Sequence, residues 1–270
     1  MTARYAVIGN PVAHSKSPWI HARFAHDSGQ DMTYEAIQAP LDGFERTVDA
    51  FRTAGGRGAN VTLPFKEQAF AYCASTSDRA RAAHSVNTLV LDRAEPWGDN
   101  TDGIGLVRDL EVNIGLPLRG KRVLVLGAGG AAQGVLQPLL AAGVQELAVA
   151  NRTVERALPL VTHFPGVEII GYATLGARAF DLVINATSAG LRGELPPLPP
   201  AHAAGPFAAG ALAYDMVYGR DTPFLDYARR AGARVSDGSG MLVEQAAESF
   251  FIWRGVRPDT RAVLAALRAR

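Results

Sequence analysis

The chain has 270 residues, of which 48% are hydrophobic and 20% are charged, and its formal net charge at pH 7 is +1. This length is sufficient for two domains with separate cores, and the balanced charge supplies no field that would attract nucleic acid or an anionic membrane. A single cysteine excludes an internal disulfide and a multi-cysteine metal site, and the histidines show no pairing at helical spacing, so we expect no metal. Neither a signal peptide nor a membrane-spanning stretch is recognised, which predicts a cytoplasmic protein.

The N-terminal part of the chain alternates between strand-like and helix-like segments. Apolar runs predict strands over residues 5–8, 32–39 and 58–63, and the segment over residues 85–91 closes this region. Helical spacing of apolar residues predicts helices over residues 17–29, 41–56 and 65–74, the first two ended by glycine. A polar turn is expected over residues 95–100. This alternation predicts a mainly parallel sheet covered by helices.

The rest of the chain continues in the same way. A helix is expected over residues 103–112, and further strands over residues 123–126, 146–150, 167–171, 180–186 and 211–217. Residues 196–200 are a proline-rich loop. The last segment, residues 240–253, is expected to be a strongly amphipathic helix capped by Gly255.

A glycine-rich turn follows the strand over residues 123–126 and precedes a helix. Glycine permits a tight turn there, and backbone N–H groups at a helix N-terminus bind a pyrophosphate. Glycines can serve packing alone in such turns. Here, however, a second strand ends at the distance that a dinucleotide site requires, so we predict a Rossmann-type cofactor domain.

The residues after that second strand bear on the choice between NAD and NADP. NAD sites usually place a carboxylate there for the ribose 2′-OH, whereas this chain has Asn151, Arg152, Thr153 and Arg156. Two guanidinium groups, an amide and a hydroxyl suit a 2′-phosphate, so the pattern predicts NADP. The alternative is that both arginines are solvated charges in the first turn of a helix.

Two serines stand just before a helix that is expected to begin at Pro18. Ser15 and Ser17 are either helix N-caps, which we favour for Ser17 taken alone, or ligands of a small carboxylate. Taken singly, the polar residues of this region would be turn formers or caps. Together they supply the hydroxyl, amide, ammonium and carboxylate groups that a polyhydroxylated substrate needs.

Lys66 is the most unusual of these polar residues. Thr62 ends a strand, where parallel sheets bind ligands, and Lys66 begins the helix that follows. A lysine at a helix N-terminus opposes the helix dipole, so we expect a carboxylate nearby. Asn87 and Asp102 stand in turns further along the chain.

With these motifs in place, the chain resembles the shikimate dehydrogenase family over essentially its whole length. The resemblance rests on motifs in family order: GNPVAHSKSP, GANVTLPFK, SVNTL, GDNTDG, GAGGAAQG, NRTVER, NATSAG, YDMVYG and SDGSGMLVEQAA. The family reduces 3-dehydroshikimate to shikimate with NADPH, on the route to chorismate and aromatic amino acids. It implies a two-domain α/β fold: an N-terminal substrate-binding domain with a mainly parallel sheet, and a Rossmann-type NADP-binding domain. The C-terminal helix is expected to return to the N-terminal domain.

The resemblance also implies roles for individual residues. Lys66 and Asp102 would be the catalytic pair. The implied substrate ligands are Ser15, Ser17 and Tyr218 for the carboxylate, and Thr62, Lys66, Asn87, Asp102 and Gln245 for the ring hydroxyls. The implied cofactor ligands are Gly127, Ala128, Gly129, Gly130 and Ala131 for the pyrophosphate, Asn151, Arg152, Thr153 and Arg156 for the 2′-phosphate, and Met216 and Gly238 for the nicotinamide. One departure is Asp78, also expected near the cofactor, where the family often has glutamate.

We expect residues 1–101 and 241–270 to form the substrate-binding domain and residues 102–240 the NADP-binding domain, with a cleft between them that closes. The predicted partner is a small-molecule substrate, without nucleic acid or membrane, and the predicted assembly is a monomer or homodimer.

One rival function is that of a quinate/shikimate dehydrogenase that uses NAD. The residues Asn151–Arg152–Thr153 and the serine pair argue against it. A methylenetetrahydrofolate dehydrogenase shares the domain plan but lacks the SKS and NVTLPFK motifs. A non-catalytic NADP-binding regulator is disfavoured because Lys66 and Asp102 are both present.

Overall fold

The computed structural model describes residues 2–200 and 205–270, and it contains the following elements in chain order. The first part forms β1 (Ala3–Gly9), α1 (Ser17–Asp27), β2 (Met32–Gln38), α2 (Phe44–Thr53), β3 (Gly56–Val61), α3 (Lys66–Tyr72), β4 (Ser75–Thr76), α4 (Asp78–Ala83), β5 (Thr88–Val90), β6 (Trp97–Asp99) and α5 (Asp102–Arg108). The second part forms β7 (Arg122–Leu126), α6 (Gly130–Ala141), β8 (Glu146–Ala150), α7 (Val154–Ala157), α8 (Pro159–His163), β9 (Val167–Ile170), β10 (Phe180–Asn185), β11 (Phe207–Asp215), α9 (Pro223–Arg230), β12 (Arg234–Ser236), α10 (Ser239–Arg254) and α11 (Arg261–Arg268). A π-helical turn over Asp109–Asn113 follows α5 directly.

The chain divides into two compact units. Unit 1 comprises Met1–Gly105 and Val243–Arg270, and unit 2 comprises Leu106–Leu242. Both boundaries fall inside helices, α5 and α10. The assignment of a substrate domain to residues 1–101 with 241–270, and of a cofactor domain to residues 102–240, stays a prediction.

Unit 1 contains a six-stranded sheet in the order β2-β1-β3-β5-β6-β4. Strand β1 runs parallel to β2 and β3, and β4 runs parallel to β6, so the sheet is mainly parallel as expected. Strand β5 is the exception and runs antiparallel to both of its neighbours. A short connection joins β5 to β6 and permits only antiparallel pairing. Strand β6 occupies part of the segment that was expected to be a polar turn, so that expectation is wrong.

Unit 2 contains a six-stranded parallel sheet in the order β12-β11-β10-β7-β8-β9. The order reverses at β7, because the chain adds β8 and β9 on one side and β10 to β12 on the other. This is the doubly wound Rossmann arrangement, in which ligands bind beyond the carboxyl ends of the strands where the order reverses. The predicted two-part α/β fold is therefore confirmed.

Each unit has its own hydrophobic core. The core of unit 1 is built from side chains of the sheet and its helices, including Ile8, Phe44 and Phe65. In unit 2 the central strand β7 is apolar without alternation, because helices cover both faces of a parallel sheet; Leu124 and Leu126 are fully buried. No helix in the described ranges is long and apolar enough to cross a membrane.

Helix α10 differs from its prediction. It ends at Arg254, and Gly255 follows with a left-handed φ of +68°, so the predicted cap is confirmed. The helix is not strongly amphipathic, because its polar side chains Glu244, Glu248 and Ser249 are buried as well as its apolar ones. Buried polar groups need hydrogen-bond partners, and those of Ser249 lie in the site described next.

Candidate active site

Lys66 and Asp102 form an ion pair between the first residues of two helices. Lys66 begins α3 and Asp102 begins α5, and Lys66 Nζ donates to Asp102 Oδ2 at 2.5 Å. Asp102 therefore supplies the carboxylate that was expected to balance a lysine at a helix N-terminus. The side chains are 25% and 10% exposed, respectively, so the pair is shielded from water while the ammonium stays accessible to a ligand.

Asn87 and Gln245 extend this pair into a polar cluster. Asn87 Nδ2 donates to Asp102 Oδ1 at 2.7 Å, so the amide binds one carboxylate oxygen and the ammonium binds the other. The same Nδ2 lies 3.4 Å from Gln245 Oε1. Gln245 approaches α5 closely because Gly105 has no side chain; a Cβ there would lie 2.7 Å from Gln245 Cβ. The structure thus brings together Lys66, Asn87, Asp102 and Gln245.

A buried hydrogen-bond network beneath Asn87 contains residues that the sequence analysis did not single out. Asn60 Nδ2 donates to the backbone oxygen of Asn87 at 3.0 Å and to Ser249 Oγ at 2.9 Å. Asn87 Oδ1 accepts from Thr88 Oγ1 at 2.8 Å and from the backbone N–H of Thr101 at 2.9 Å. These donors orient the Asn87 amide so that its NH₂ group faces Asp102.

The sequence contained a signal for some of these residues but not for all. Asn60 and Thr101 belong to the motifs GANVTLPFK and GDNTDG, next to residues that were singled out. Ser249 carries no such signal. It lies one helical turn beyond Gln245, and its hydroxyl donates to the Gln245 backbone oxygen at 3.0 Å.

A second group of side chains holds the segment that leads into Asp102. Asp99 ends β6 and accepts hydrogen bonds from Arg79 Nε at 2.7 Å and Nη2 at 2.6 Å. Arg79 also pairs with Glu248 of α10 at 3.2 Å. Asn100 Oδ1 accepts from the backbone N–H of Asp102 at 3.1 Å. The start of α5 is therefore fixed by charged and neutral contacts together.

Ser15 and Ser17 lie where the loop after β1 meets α1. Helix α1 begins at Ser17 rather than at Pro18, its N-cap residue is Lys16, and no side chain caps it. The N-cap role that we favoured for Ser17 taken alone is therefore wrong. Instead, Ser15 Oγ accepts from the backbone N–H of Ser17 at 3.2 Å. Thr62 lies directly after β3 in the same unit. Contact of these three residues with a substrate stays a prediction.

In unit 2, the glycine-rich turn lies between β7 and α6, at the reversal point of the sheet. Gly127 adopts a left-handed φ of +100°, which glycine tolerates and other residues rarely do. No side chain caps α6, and a Cβ at Gly129 or Gly130 would meet no atom within 4 Å. The N–H groups at the start of this helix are thus open to an anion, so Gly127–Ala131 fits a pyrophosphate.

Asn151, Arg152, Thr153 and Arg156 follow β8, the neighbour of β7. Asn151 Nδ2 donates to the backbone oxygen of Thr153 at 2.8 Å, and both arginines are exposed. Arg152 lies beside Tyr172, whose pKa is raised to about 12 chiefly by burial. The donor set suits a phosphate, and its contact with one stays a prediction.

Met216 and Tyr218 follow β11, and Gly238 precedes α10. Gly238 donates from its backbone N–H to the Val217 oxygen at 3.0 Å, which joins the two segments within unit 2. Burial raises the pKa of Tyr218, so its hydroxyl is a neutral hydrogen-bond donor at physiological pH.

Asp78 lies in unit 1 as the first residue of α4, and its 93% exposed side chain pairs with Arg81.

No group of three or more His, Cys, Asp or Glu side chains is arranged to hold a metal ion within residues 2–200 and 205–270. His202, one of the histidines considered in the sequence, lies outside the described residues.

Three family models match successive parts of the chain. Residues 7–89 match the "Shikimate dehydrogenase substrate binding domain", residues 110–192 match "Shikimate / quinate 5-dehydrogenase", and residues 238–268 match the "Shikimate 5'-dehydrogenase C-terminal domain". A protein of Nitrosospira multiformis named "Shikimate dehydrogenase (NADP(+))" is 57% identical over 274 residues, which cover 100% of this chain and 98% of the relative.

Solved structures also match this chain over nearly its whole length. An "Ael1 enzyme" from Pseudomonas putida is 50% identical with a TM-score of 0.93, over 98% of each chain. Shikimate 5-dehydrogenase from Thermus thermophilus, solved in complex with NADP(H) and shikimate, is 38% identical with a TM-score of 0.88, over 99% of each chain.

Proposed function

Because this chain belongs to the shikimate dehydrogenase family, we propose that it catalyses the reversible reduction of 3-dehydroshikimate to shikimate with NADPH. The observation that carries the proposal is the ion pair between Lys66 and Asp102, with Asn87 bound to the second carboxylate oxygen. A regulator that only binds NADP has no use for an accessible ammonium held in this way.

Lys66 is the proton donor of the proposed reaction. When bound, NADPH supplies a hydride to the substrate carbonyl carbon, and negative charge then develops on the carbonyl oxygen. Lys66 Nζ stabilises that oxygen and transfers a proton to it, and in the reverse direction the same nitrogen accepts the proton of the alcohol. A positioned acid of this kind contributes about 10²–10⁴-fold to the rate.

Asp102 orients the ammonium. It binds Lys66 through Oδ2 while Asn87 donates to Oδ1, so the carboxylate cannot rotate without breaking one of the two bonds. Opposite charges at this distance, shielded from water, attract strongly. The Lys66 ammonium is thereby held beside Asp102, in position to meet the substrate oxygen.

The remaining polar side chains are proposed to bind the substrate. We assign Ser15, Ser17 and Tyr218 to the carboxylate and Thr62, Asn87 and Gln245, with the catalytic pair, to the ring hydroxyls. Leaving a buried hydrogen-bonding group unpaired costs about 1–3 kcal/mol, so such a site disfavours an analogue that lacks a hydroxyl.

Unit 2 is proposed to hold the cofactor. The open helix N-terminus at Gly127–Ala131 suits the pyrophosphate, and Asn151, Arg152, Thr153 and Arg156 suit the 2′-phosphate. Met216 and Gly238 are proposed to lie at the nicotinamide, and Asp78 near the cofactor. We further propose that residues 1–101 with 241–270 form the substrate domain and residues 102–240 the cofactor domain. A cytoplasmic location and a monomeric or homodimeric state stay predictions.

The deciding experiment follows NADPH or NADH formation by the purified protein with shikimate or quinate as the alcohol and NADP⁺ or NAD⁺ as the oxidant. We expect turnover with shikimate and NADP⁺ to exceed every other combination. Preferred turnover of quinate with NAD⁺ would assign the protein to the quinate branch. NADP⁺ binding without turnover of either alcohol would contradict an enzymatic function.

A further inference from the structure

Asp215 is a buried carboxylate that the proposed mechanism does not use. It is the last residue of β11 and is fully buried, and it forms no salt bridge with any described residue. A buried charge without a cation is costly unless several hydrogen bonds satisfy it.

The hydrogen bonds of Asp215 come from three different segments of unit 2. Asn185 Nδ2 donates to Oδ2 at 3.1 Å and Thr222 Oγ1 donates to the same oxygen at 2.6 Å. The backbone N–H of Val217 donates to Oδ1 at 3.0 Å. This last bond fixes the backbone between Met216 and Tyr218, which carry proposed contacts to cofactor and substrate.

Asn185 also binds a second loop, the one that follows β10 and contains Thr187. It is the last residue of β10 and lies opposite Asp215 in the strand register. Its Oδ1 accepts from the backbone N–H of Thr187 at 3.1 Å and from Thr187 Oγ1 at 2.7 Å. A Cβ added to Gly127 would lie 3.1 Å from the methyl group of Thr187, so the loop that carries Thr187 packs against the proposed pyrophosphate turn.

We propose that Asn185 and Asp215 are a positioning pair, whose amide–carboxylate hydrogen bond holds the Thr187 loop against the Gly127 turn and the Met216–Tyr218 segment in its binding conformation. The pair lies at the carboxyl ends of adjacent strands, beside the reversal point of the sheet, where small errors in loop position affect the ligand directly. The inference rests on the proposed function, because it assumes that both loops contact the cofactor.

The test exchanges the two side chains. Asn185→Asp puts two carboxylates face to face, so no proton joins them. Asp215→Asn leaves one acceptor oxygen, which can serve Asn185 Nδ2 or the Val217 N–H but not both, so each single variant loses at least one bond of the network. The double variant Asn185→Asp/Asp215→Asn restores a carboxylate–amide bond in the opposite direction. It also keeps acceptors for Thr187 and for the Val217 N–H, whereas Thr222 Oγ1 no longer donates at this position and instead accepts from the new amide.

The readouts are the dissociation constant of NADP⁺ from calorimetry on the full chain, the KM and kcat for shikimate, and the melting temperature. We expect each single variant to weaken NADP⁺ binding by about tenfold and the double variant to return to within about threefold of the wild type. Asp181→Asn is the matched control, because Asp181 lies near the opposite end of β10 and accepts from the Arg122 backbone N–H at 2.8 Å. It should bind NADP⁺ like the wild type.

A lower melting temperature with unchanged NADP⁺ affinity would show that the pair is purely structural and would overturn the proposal. The proposal would also be overturned if the double variant bound NADP⁺ no more tightly than the single variant with the lower affinity. If a single variant fails to fold, Thr187→Val and Thr187→Ser replace it, since only serine keeps the hydroxyl donor to Asn185. Weaker binding in the valine variant alone supports the proposal, and equal binding overturns it. Wild-type protein that binds NADP⁺ but does not oxidise shikimate would refute the proposed function, while the affinity series would still test the pair.

Discussion

Lys66 and Asp102 each begin a helix, and their side chains meet at 2.5 Å. The positive end of a helix dipole stabilises an aspartate and destabilises a lysine, so the two positions are electrostatically unequal. The aspartate compensates the lysine, and the ion pair also joins α3 to α5. The pair therefore has a catalytic and a structural role, and variants of it can be tested for loss of kcat and for loss of stability separately.

Lys66→Met should bind NADP⁺ normally and lose at least about 10²-fold in kcat, because the proton donor is removed while the length of the side chain is kept. Steady-state kinetics and cofactor titration measure the two quantities. Lys121→Met, which changes a lysine just before β7 in unit 2, should leave kcat unchanged. A Lys66→Met variant with near-normal kcat would exclude the assigned role.

Thr88→Val should lower kcat for shikimate by about three- to tenfold, because Asn87 loses one of the donors that orient its amide towards Asp102. The substitution keeps the shape of the side chain. The matched control is Thr47→Val, since Thr47 Oγ1 donates to the backbone oxygen of Gly43, the residue just before α2, and this bond lies away from the catalytic pair. Equal kinetics in the two variants would show that Thr88 does not act on the catalytic pair.

Arg152→Gln and Arg156→Gln should each raise the KM for NADP⁺ by about tenfold and leave the KM for NAD⁺ unchanged, because only NADP⁺ carries the 2′-phosphate. The informative measurement is therefore the ratio of the KM for NADP⁺ to the KM for NAD⁺ in each variant. Arg46→Gln, an exposed arginine on α2, controls for a general loss of positive charge. Parallel changes with both cofactors would contradict a phosphate contact.

His21 should make the protein less stable as the pH falls. Its ring is fully buried and stacks on Tyr34 with centroids 4.1 Å apart, and burial lowers its pKa from 6.5 to about 3 although Asn60 opposes the shift. The unfolded state therefore binds the proton more tightly, so stability is complete above pH 6.5 and decreases between pH 6.5 and 3. The limiting slope is about 1.4 kcal/mol per pH unit.

His21→Phe keeps an aromatic ring but removes the titrating group. Between pH 6.5 and 5, we expect the wild type to lose about 1.5 kcal/mol more of its free energy of unfolding than this variant. Denaturant titration at each pH measures the difference. The exposed His14 provides the control variant, His14→Phe, which should keep the wild-type pH dependence. An identical slope for His21→Phe would mean that His21 binds its proton equally well in the folded and unfolded states, which would contradict the prediction.

Gly105→Ala should destabilise the protein although alanine is the better helix former by about 1 kcal/mol. The added Cβ would lie 2.7 Å from both Cβ and the backbone N of Gln245, so α5 and α10 must shift apart. We expect a lower melting temperature and a higher KM for shikimate, with the KM for NADP⁺ unchanged. A higher melting temperature would show that helix propensity outweighs the close approach.

The sequence by itself determined those features whose cause is local. The strand–turn–helix order around Gly127 and the absence of a carboxylate at Asn151–Arg152–Thr153 are patterns of neighbouring residues, and they were enough to predict a Rossmann unit and NADP. The poor electrostatics of Lys66 at a helix N-terminus predicted a nearby carboxylate. Each inference depends on backbone geometry or charge within a few residues.

Only the tertiary structure decided which groups meet. The charge of Lys66 left its partner open, and only the family resemblance implied Asp102. The structure places that carboxylate beside Lys66, joins Ser249 to the network beneath Asn87 and makes β5 antiparallel in its sheet. The polar side of α10 is buried, where hydrophobic periodicity indicated an exposed face. These contacts join segments far apart in the chain, and their energies depend on desolvation and on distances of a few ångströms that exist only after folding.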